Sequence, residues 1–235
     1  MNQQRGGPFL PADRTARWAQ GFLTASLALA VAGTVSTLVV MIAPGAPFAD
    51  GELDLKQLLQ ALVGLLQVLV WIGTVIAFLM WFYRVHKNLP AMGARNLEYS
   101  PGWAVGGFFV PFLNLARPLQ VMREVWHWSD PSGYGDDPLP RNLHATPPVI
   151  GWWWACFLLS SFASNISARI EFSGTSSPDL VQDSNVFSIV ANVFDFPAAL
   201  LAVKLVGNIT KWQLERYNQV QQGSAGAAAS ATQVG

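Results

Sequence analysis

The chain has 235 residues, of which 51% are apolar and only 12% charged, and its 14 basic and 14 acidic side chains cancel. A charged fraction about half the usual ~25% is too small to cover a water-facing surface. Zero net charge argues against a nucleic-acid partner, and ten Trp with a mean hydropathy of +0.31 point to a membrane.

The first 16 residues are polar or Gly-rich and predict a disordered N-terminus. Residues 21–42 carry no charge and predict the first transmembrane helix. Its apolar core exceeds a signal peptide's h-region, and Ala43-Pro44-Gly45-Ala46-Pro47-Phe48-Ala49 offers no clean cleavage site, so a retained helix is expected. Ala28, Ala32 and Ser36 form a stripe of small residues suited to helix packing or a homodimer. A second span is expected at 61–82, where Gln67 and Thr74 are the polar side chains. A third, short one is expected at 149–166 and a fourth at 186–206, which contains Asn192, Asp195 and Lys204.

Between the spans, two short loops carry Asp50, Glu52 and Asp54, and Glu171, Asp179 and Asp183, and neither is large enough for a domain. The loop 84–148 begins with an ambiguous apolar stretch, 101–116, interrupted by Gly102, Gly106, Gly107 and Pro111. It either makes a fifth crossing or forms a re-entrant or interfacial segment. Basic residues discriminate, because they collect on the cytoplasmic side. Four crossings with the N-terminus inside leave only Lys56 and Arg169 outside, 12 against two; five crossings divide the set seven against seven. Four crossings and two cytoplasmic termini follow. Trp18, Trp81, Trp152, Trp153, Trp154 and Trp212 then fall at the inner helix ends, the level Trp prefers.

Further along the loop, Leu115, Leu119, Met122, Val125 and Trp126 recur at helical spacing opposite Gln120, Arg123, Glu124 and His127. With Pro118 in the first turn, this predicts an amphipathic interfacial helix whose arginines approach anionic headgroups. Residues 129–140 read as a turn-rich linker, and 218–235 as a disordered cytoplasmic tail. The expected fold is an all-α integral membrane protein with one helical membrane domain, 17–217; five transmembrane helices are the alternative.

The run Ser100-Pro101-Gly102-Trp103-Ala104-Val105-Gly106-Gly107-Phe108-Phe109-Val110-Pro111 continues with Asn114, Arg117-Pro118, Gln120, Met122-Arg123-Glu124 and Trp126. With Trp81-Phe82-Tyr83-Arg84 and Asn88 upstream, it resembles an uncharacterised bacterial membrane-protein family, domain of unknown function 4328. Ala116 and Leu119 depart from the pattern, in which aromatics are frequent there. The resemblance implies the topology and a bacterial membrane, and brings no catalytic role to any residue.

Asp195 is the sharpest chemical feature. About nine residues into its helix it lies near the bilayer midplane, where an ionised Asp costs roughly 2.5–3.5 kcal/mol. Asn192 lies one turn earlier, and Pro197 frees a backbone carbonyl one turn back. A candidate intramembrane polar site therefore comprises Asp195 and Asn192 with Asn114 and Arg117. The structural alternative is an interhelical hydrogen bond from Asp195 to Gln67, Thr74 or Asn114. Candidate lipid contacts are Arg117, Arg123, Trp126 and Trp103. Cys156 is alone, His86, His127 and His144 are scattered, and no catalytic motif appears, so no metal, cofactor or enzymatic activity is expected. The expected function is a module of the bacterial inner membrane that interacts with lipids, partner membrane proteins or a second copy of itself. A small transporter or channel built around Asp195 is the alternative.

Overall fold

In a computed structural model, which describes residues 7–42, 55–132, 147–173 and 178–233, all regular structure among the described residues is helical. The long helices are α1 (Asp13–Ile42) and α2 (Leu55–Lys87), then α5 (Pro148–Glu171) and α6 (Pro178–Gln233). Between α2 and α5 come a 3₁₀ turn at Leu89–Met92, the single-turn α3 (Trp103–Gly106), a second 3₁₀ turn at Leu113–Leu115, and α4 (Arg117–Ser129). Among the described residues, four stretches are long and apolar enough to cross a bilayer: Asp13–Val35, Leu62–Lys87, Pro148–Glu171 and Gln182–Ala225. The chain is thus an all-α membrane protein with four spans. The stretch 101–116 supplies one helical turn and a 3₁₀ turn rather than a fifth span.

Two compact units divide the chain, with boundaries inside the long helices. One, called the packed unit here, draws on Met1–Gln20, Ala77–Gly151 and Lys204–Gly235. The other, the span unit, comprises Gly21–Ile76 and Trp152–Val203.

The packed unit is organised like a soluble domain, with large side chains turned inward. Trp81, Phe82, Val85, Leu89, Met92, Met122, Val121, Leu205 and Ile209 are fully buried. Phe78, Phe82 and Phe108 meet in edge and tilted geometries at 5.9–6.4 Å, the arrangement aromatic quadrupoles favour. Trp81, expected at the headgroup level, is instead a core residue, because its indole N–H donates to Thr210 Oγ1 at 3.0 Å. Parts of both terminal segments are among the described residues. Leu10 N–H donates to Asn88 Oδ1 and Asn88 Nδ2 donates to Leu10 C=O, so one side-chain amide fixes the segment before α1. Phe9 stacks on Tyr217 at 4.3 Å, and Ala12 and Ala16 are buried. At the other end α6 continues to Gln233, where alanine, the strongest helix former, recurs.

The span unit is organised the other way round. Leu62, Leu65, Leu66, Val68, Leu69 and Ile72 on α2, and Val186, Val190, Val193 and Phe196 on α6, are exposed. Outward apolar side chains are what a bilayer solvates, since lipid tails are as apolar as leucine. Contact between α1 and α2 is close: a Cβ on Gly73 would lie 2.8 Å from Cδ1 and Cζ of the Phe22 ring and nearer still to Cε1. Gly33 faces Gln67 Nε2 in the same way at 2.9 Å. The packing face of α1 is therefore Ser26, Leu29, Ala30 and Gly33; Ala28 and Ala32 of the expected small-residue stripe are exposed. The side chain of Ser36, the loop acids Asp50, Glu52 and Asp54, the side chain of Asp179, and most of the expected linker lie outside the described residues.

Candidate functional site

Each unit holds part of what the sequence suggested. In the span unit, four helices each turn one stripe toward a shared cleft of about 440 Å³. The stripes are Ser26, Leu29, Ala30 and Gly33 on α1, and Gln67 and Trp71 on α2. Ser164, Ser167, Ala168 and Glu171 on α5, and Ser188, Ala191, Asn192 and Asp195 on α6, complete it. Intervals of three and four residues put each set on a single helical face. Small residues keep the interior open while polar oxygens line it.

Hydroxyls knit α5 to α6 along this lining. Ser184 Oγ donates to Glu171 Oε1 at 2.8 Å, and Ser167 Oγ lies 2.8 Å from Ser188 Oγ and 3.0 Å from Ser184 C=O. The partners expected to seal Asp195 are engaged elsewhere. Gln67 Nε2 donates to Leu29 C=O at 3.3 Å, and Thr74 Oγ1, 2.7 Å from Ser26 Oγ, reaches Val70 C=O at 2.8 Å. Asp195 itself has no hydrogen-bond partner among the described residues. Asp195 and Asn192 both line this cleft, whereas Asn114 and Arg117 are not among its lining residues and belong to the packed unit. Ser167, Ser184 and Ser188 were missed, although their spacing, read with Glu171, Asn192 and Asp195, already traced the two stripes.

In the packed unit, Arg117 is held between two rings, its guanidinium carbon 4.8 Å from the Tyr99 centroid and 5.1 Å from that of Trp103. Cation–π contacts at such distances hold the side chain in place. Gly107 makes the approach possible, since a Cβ there would lie 2.8 Å from Trp103 C=O and 3.0 Å from Arg117 Cγ. Tyr99 Oη donates to Glu98 Oε1 at 2.5 Å. Burial and the neighbouring Glu98 carboxylate together push the Tyr99 hydroxyl up to about 12, while Arg117 pulls the other way.

α4 is the amphipathic helix expected from the sequence, but two of its polar residues face protein. Glu124 is buried, with Oε2 3.1 Å from His86 Nε2 and Oε1 accepting the Glu98 N–H at 2.6 Å; His127 is buried as well. Arg123 is half-buried, and Trp126 packs edge-on against Trp212 at 4.6 Å. A second polar node ties the C-terminal ends of α2 and α4 to the body of α6: Gln213 Nε2 donates to Val85 C=O and Ser129 Oγ, and Asn88 Nδ2 donates to Gln213 Oε1. Immediately before α4, Phe109, Val110, Phe112, Leu113 and Leu115 form an exposed apolar rim, with Phe112 87% exposed. Phe112 holds φ at 62°, a conformation costly for a side chain with a Cβ, so the backbone is strained at the rim's most exposed residue.

Among the described residues, no three His, Cys, Asp or Glu gather as a metal site would require. No curated protein and no solved structure matches the chain. A family model does match, over residues 44–211, a range holding α2, the tryptophan- and glycine-rich segment, α4, α5 and most of α6. The signature residues Trp81, Phe82, Asn88, Met122 and Glu124 are the buried framework of the packed unit, and the chain belongs to the family described as Domain of unknown function (DUF4328).

Proposed function

We propose that the protein is a non-enzymatic module of the bacterial cytoplasmic membrane, with both termini inside, that engages lipid through its packed unit. The exposed rim Phe109–Leu115 carries this reading. An apolar edge of that size is poorly solvated by water and well solvated by acyl chains. Arg117, caged against Tyr99 and Trp103, and Arg123 with Trp126 on α4 supply the cationic and aromatic groups that favour phospholipid headgroups.

A nitroxide tests this directly. With Cys156 replaced by Ala and a spin label on Phe112→Cys, the full-length protein in phosphatidylglycerol-containing vesicles should give a label far more accessible to oxygen than to a water-soluble nickel chelate. A nickel-accessible label would overturn the lipid reading. The topology has its own test: a cysteine at Ser132 should resist membrane-impermeant maleimide added outside intact cells, and labelling there would overturn the cytoplasmic assignment.

A further inference from the structure

We infer that the cleft of the span unit is a binding site for a small monovalent cation, a proton or a sodium ion, held at the Asp195 carboxyl. The inference is independent of the lipid reading, which concerns the other unit.

Ligand chemistry follows from the lining. Its polar atoms are the carboxyls of Asp195 and Glu171, the side-chain amides of Asn192 and Gln67, and serine hydroxyls, with no Lys, Arg or His among the lining residues. An anion would find no countercharge there. Hard cations take such carboxylate, hydroxyl and amide oxygens, and ligand type is the principal selector of the ion. A divalent ion is disfavoured by distance. Glu171 is held level with Ser184, eleven residues before Asp195, or roughly 16 Å along α6 at ~1.5 Å per residue. One carboxyl with neutral oxygens matches one positive charge.

Energetics point the same way. Asp195 lies within a span, lines the cleft and has no hydrogen-bond partner among the described residues, Gln67 and Thr74 being committed to backbone carbonyls. Intramembrane carboxyls of this kind are costly unless paired, and they mark ion and proton sites. A bound proton or cation supplies the pairing that the protein itself does not. Among the residues lining the cleft, the titratable groups are Asp195 from α6 and Glu171 from α5; the lining residues of α1 and α2, Ser26 and Gln67 among them, do not titrate. Glu171 already accepts from Ser184. Asp195 is therefore the group that takes the ion.

Dicyclohexylcarbodiimide, which attacks carboxyls in apolar surroundings, tests this on the unaltered full-length protein in detergent, with modification mapped by peptide mass spectrometry. Asp195 should be modified. If sodium is the ligand, sodium chloride slows the reaction several-fold and choline chloride does not. If the proton is the ligand, the rate follows pH and sodium has no effect. Either result supports the site. An unmodified Asp195, or modification indifferent to both pH and sodium, would overturn it. Neither outcome depends on where Phe112 sits, so this inference and the lipid reading fail separately.

Discussion

The two units of this chain solve opposite solvent problems with the same helices. In the packed unit, Trp81, Phe82, Met92 and Met122 point inward, and buried polar groups are tied over long sequence separations, as Gln213 is to Val85 and Ser129. In the span unit, many leucines and valines of α2 and α6 point outward, and the polar side chains of serine, asparagine and glutamine line an interior cleft. Water expels apolar side chains into a core, whereas lipid does not, so association within lipid relies on close packing and interhelical hydrogen bonds. The consequence is a division of roles. The unit built like a soluble domain offers a surface, and the unit built for lipid has interior space to hold something.

Substitutions can break this contrast. The largest effect is expected at Trp81→Ala, which empties a fully buried indole site and removes the N–H that Thr210 Oγ1 accepts; such changes cost about 3–5 kcal/mol. Leu69→Ala, at a position 57% exposed in the span unit, should cost less than about 1 kcal/mol in a bilayer, because lipid fills the space left. Unfolding followed by circular dichroism in mixed detergent and lipid compares them; equal losses would mean that both units have conventional cores.

A middle-sized effect is expected at Gly73→Ala. Its methyl group meets a rigid Phe22 ring, an overpacking that typically costs about 1–3 kcal/mol, and Phe22→Leu should restore most of it. Gly33→Ala should be milder, since it presses only on the movable end of Gln67. If the two alanines behave alike, close approach of α1 and α2 is not what holds the span unit together.

A further contrast is read from pH. Folded Tyr99 keeps its proton to about 12, against 10.0 for an ordinary tyrosine. Below pH 10 that contribution to stability is intact, and it is lost as the pH rises toward 12, because the unfolded chain releases the proton first. Tyr99→Phe should flatten the decline measured over that window. An unchanged slope would mean that the Glu98–Tyr99–Arg117 cluster is wetter than its geometry implies.

Much was legible in the sequence. Long, predominantly apolar runs marked the four spans, and the distribution of basic residues favoured them over five. Asp195 and Asn192 stood out as polar groups in an apolar helix, and their spacing alone puts them on one face. Glu124 was less legible: it recurs with Gln120 and Arg123 on the polar side of α4, and only the approach of His86 and the Glu98 peptide makes that side an interior. The contact of Leu10 with Asn88, 78 residues away, was hidden for the same reason.

The sequence alone determined the solvent of each helix, since apolar length and charge pattern are local properties that a bilayer reads directly. Which polar groups would be paired was decided by tertiary structure. Pairing requires partners distant in the chain to arrive at hydrogen-bonding distance, and no local pattern encodes that arrival. By that test Glu124, drawn as a surface residue, is sealed into the framework, and Asp195, whose partners could be guessed, is left facing open space.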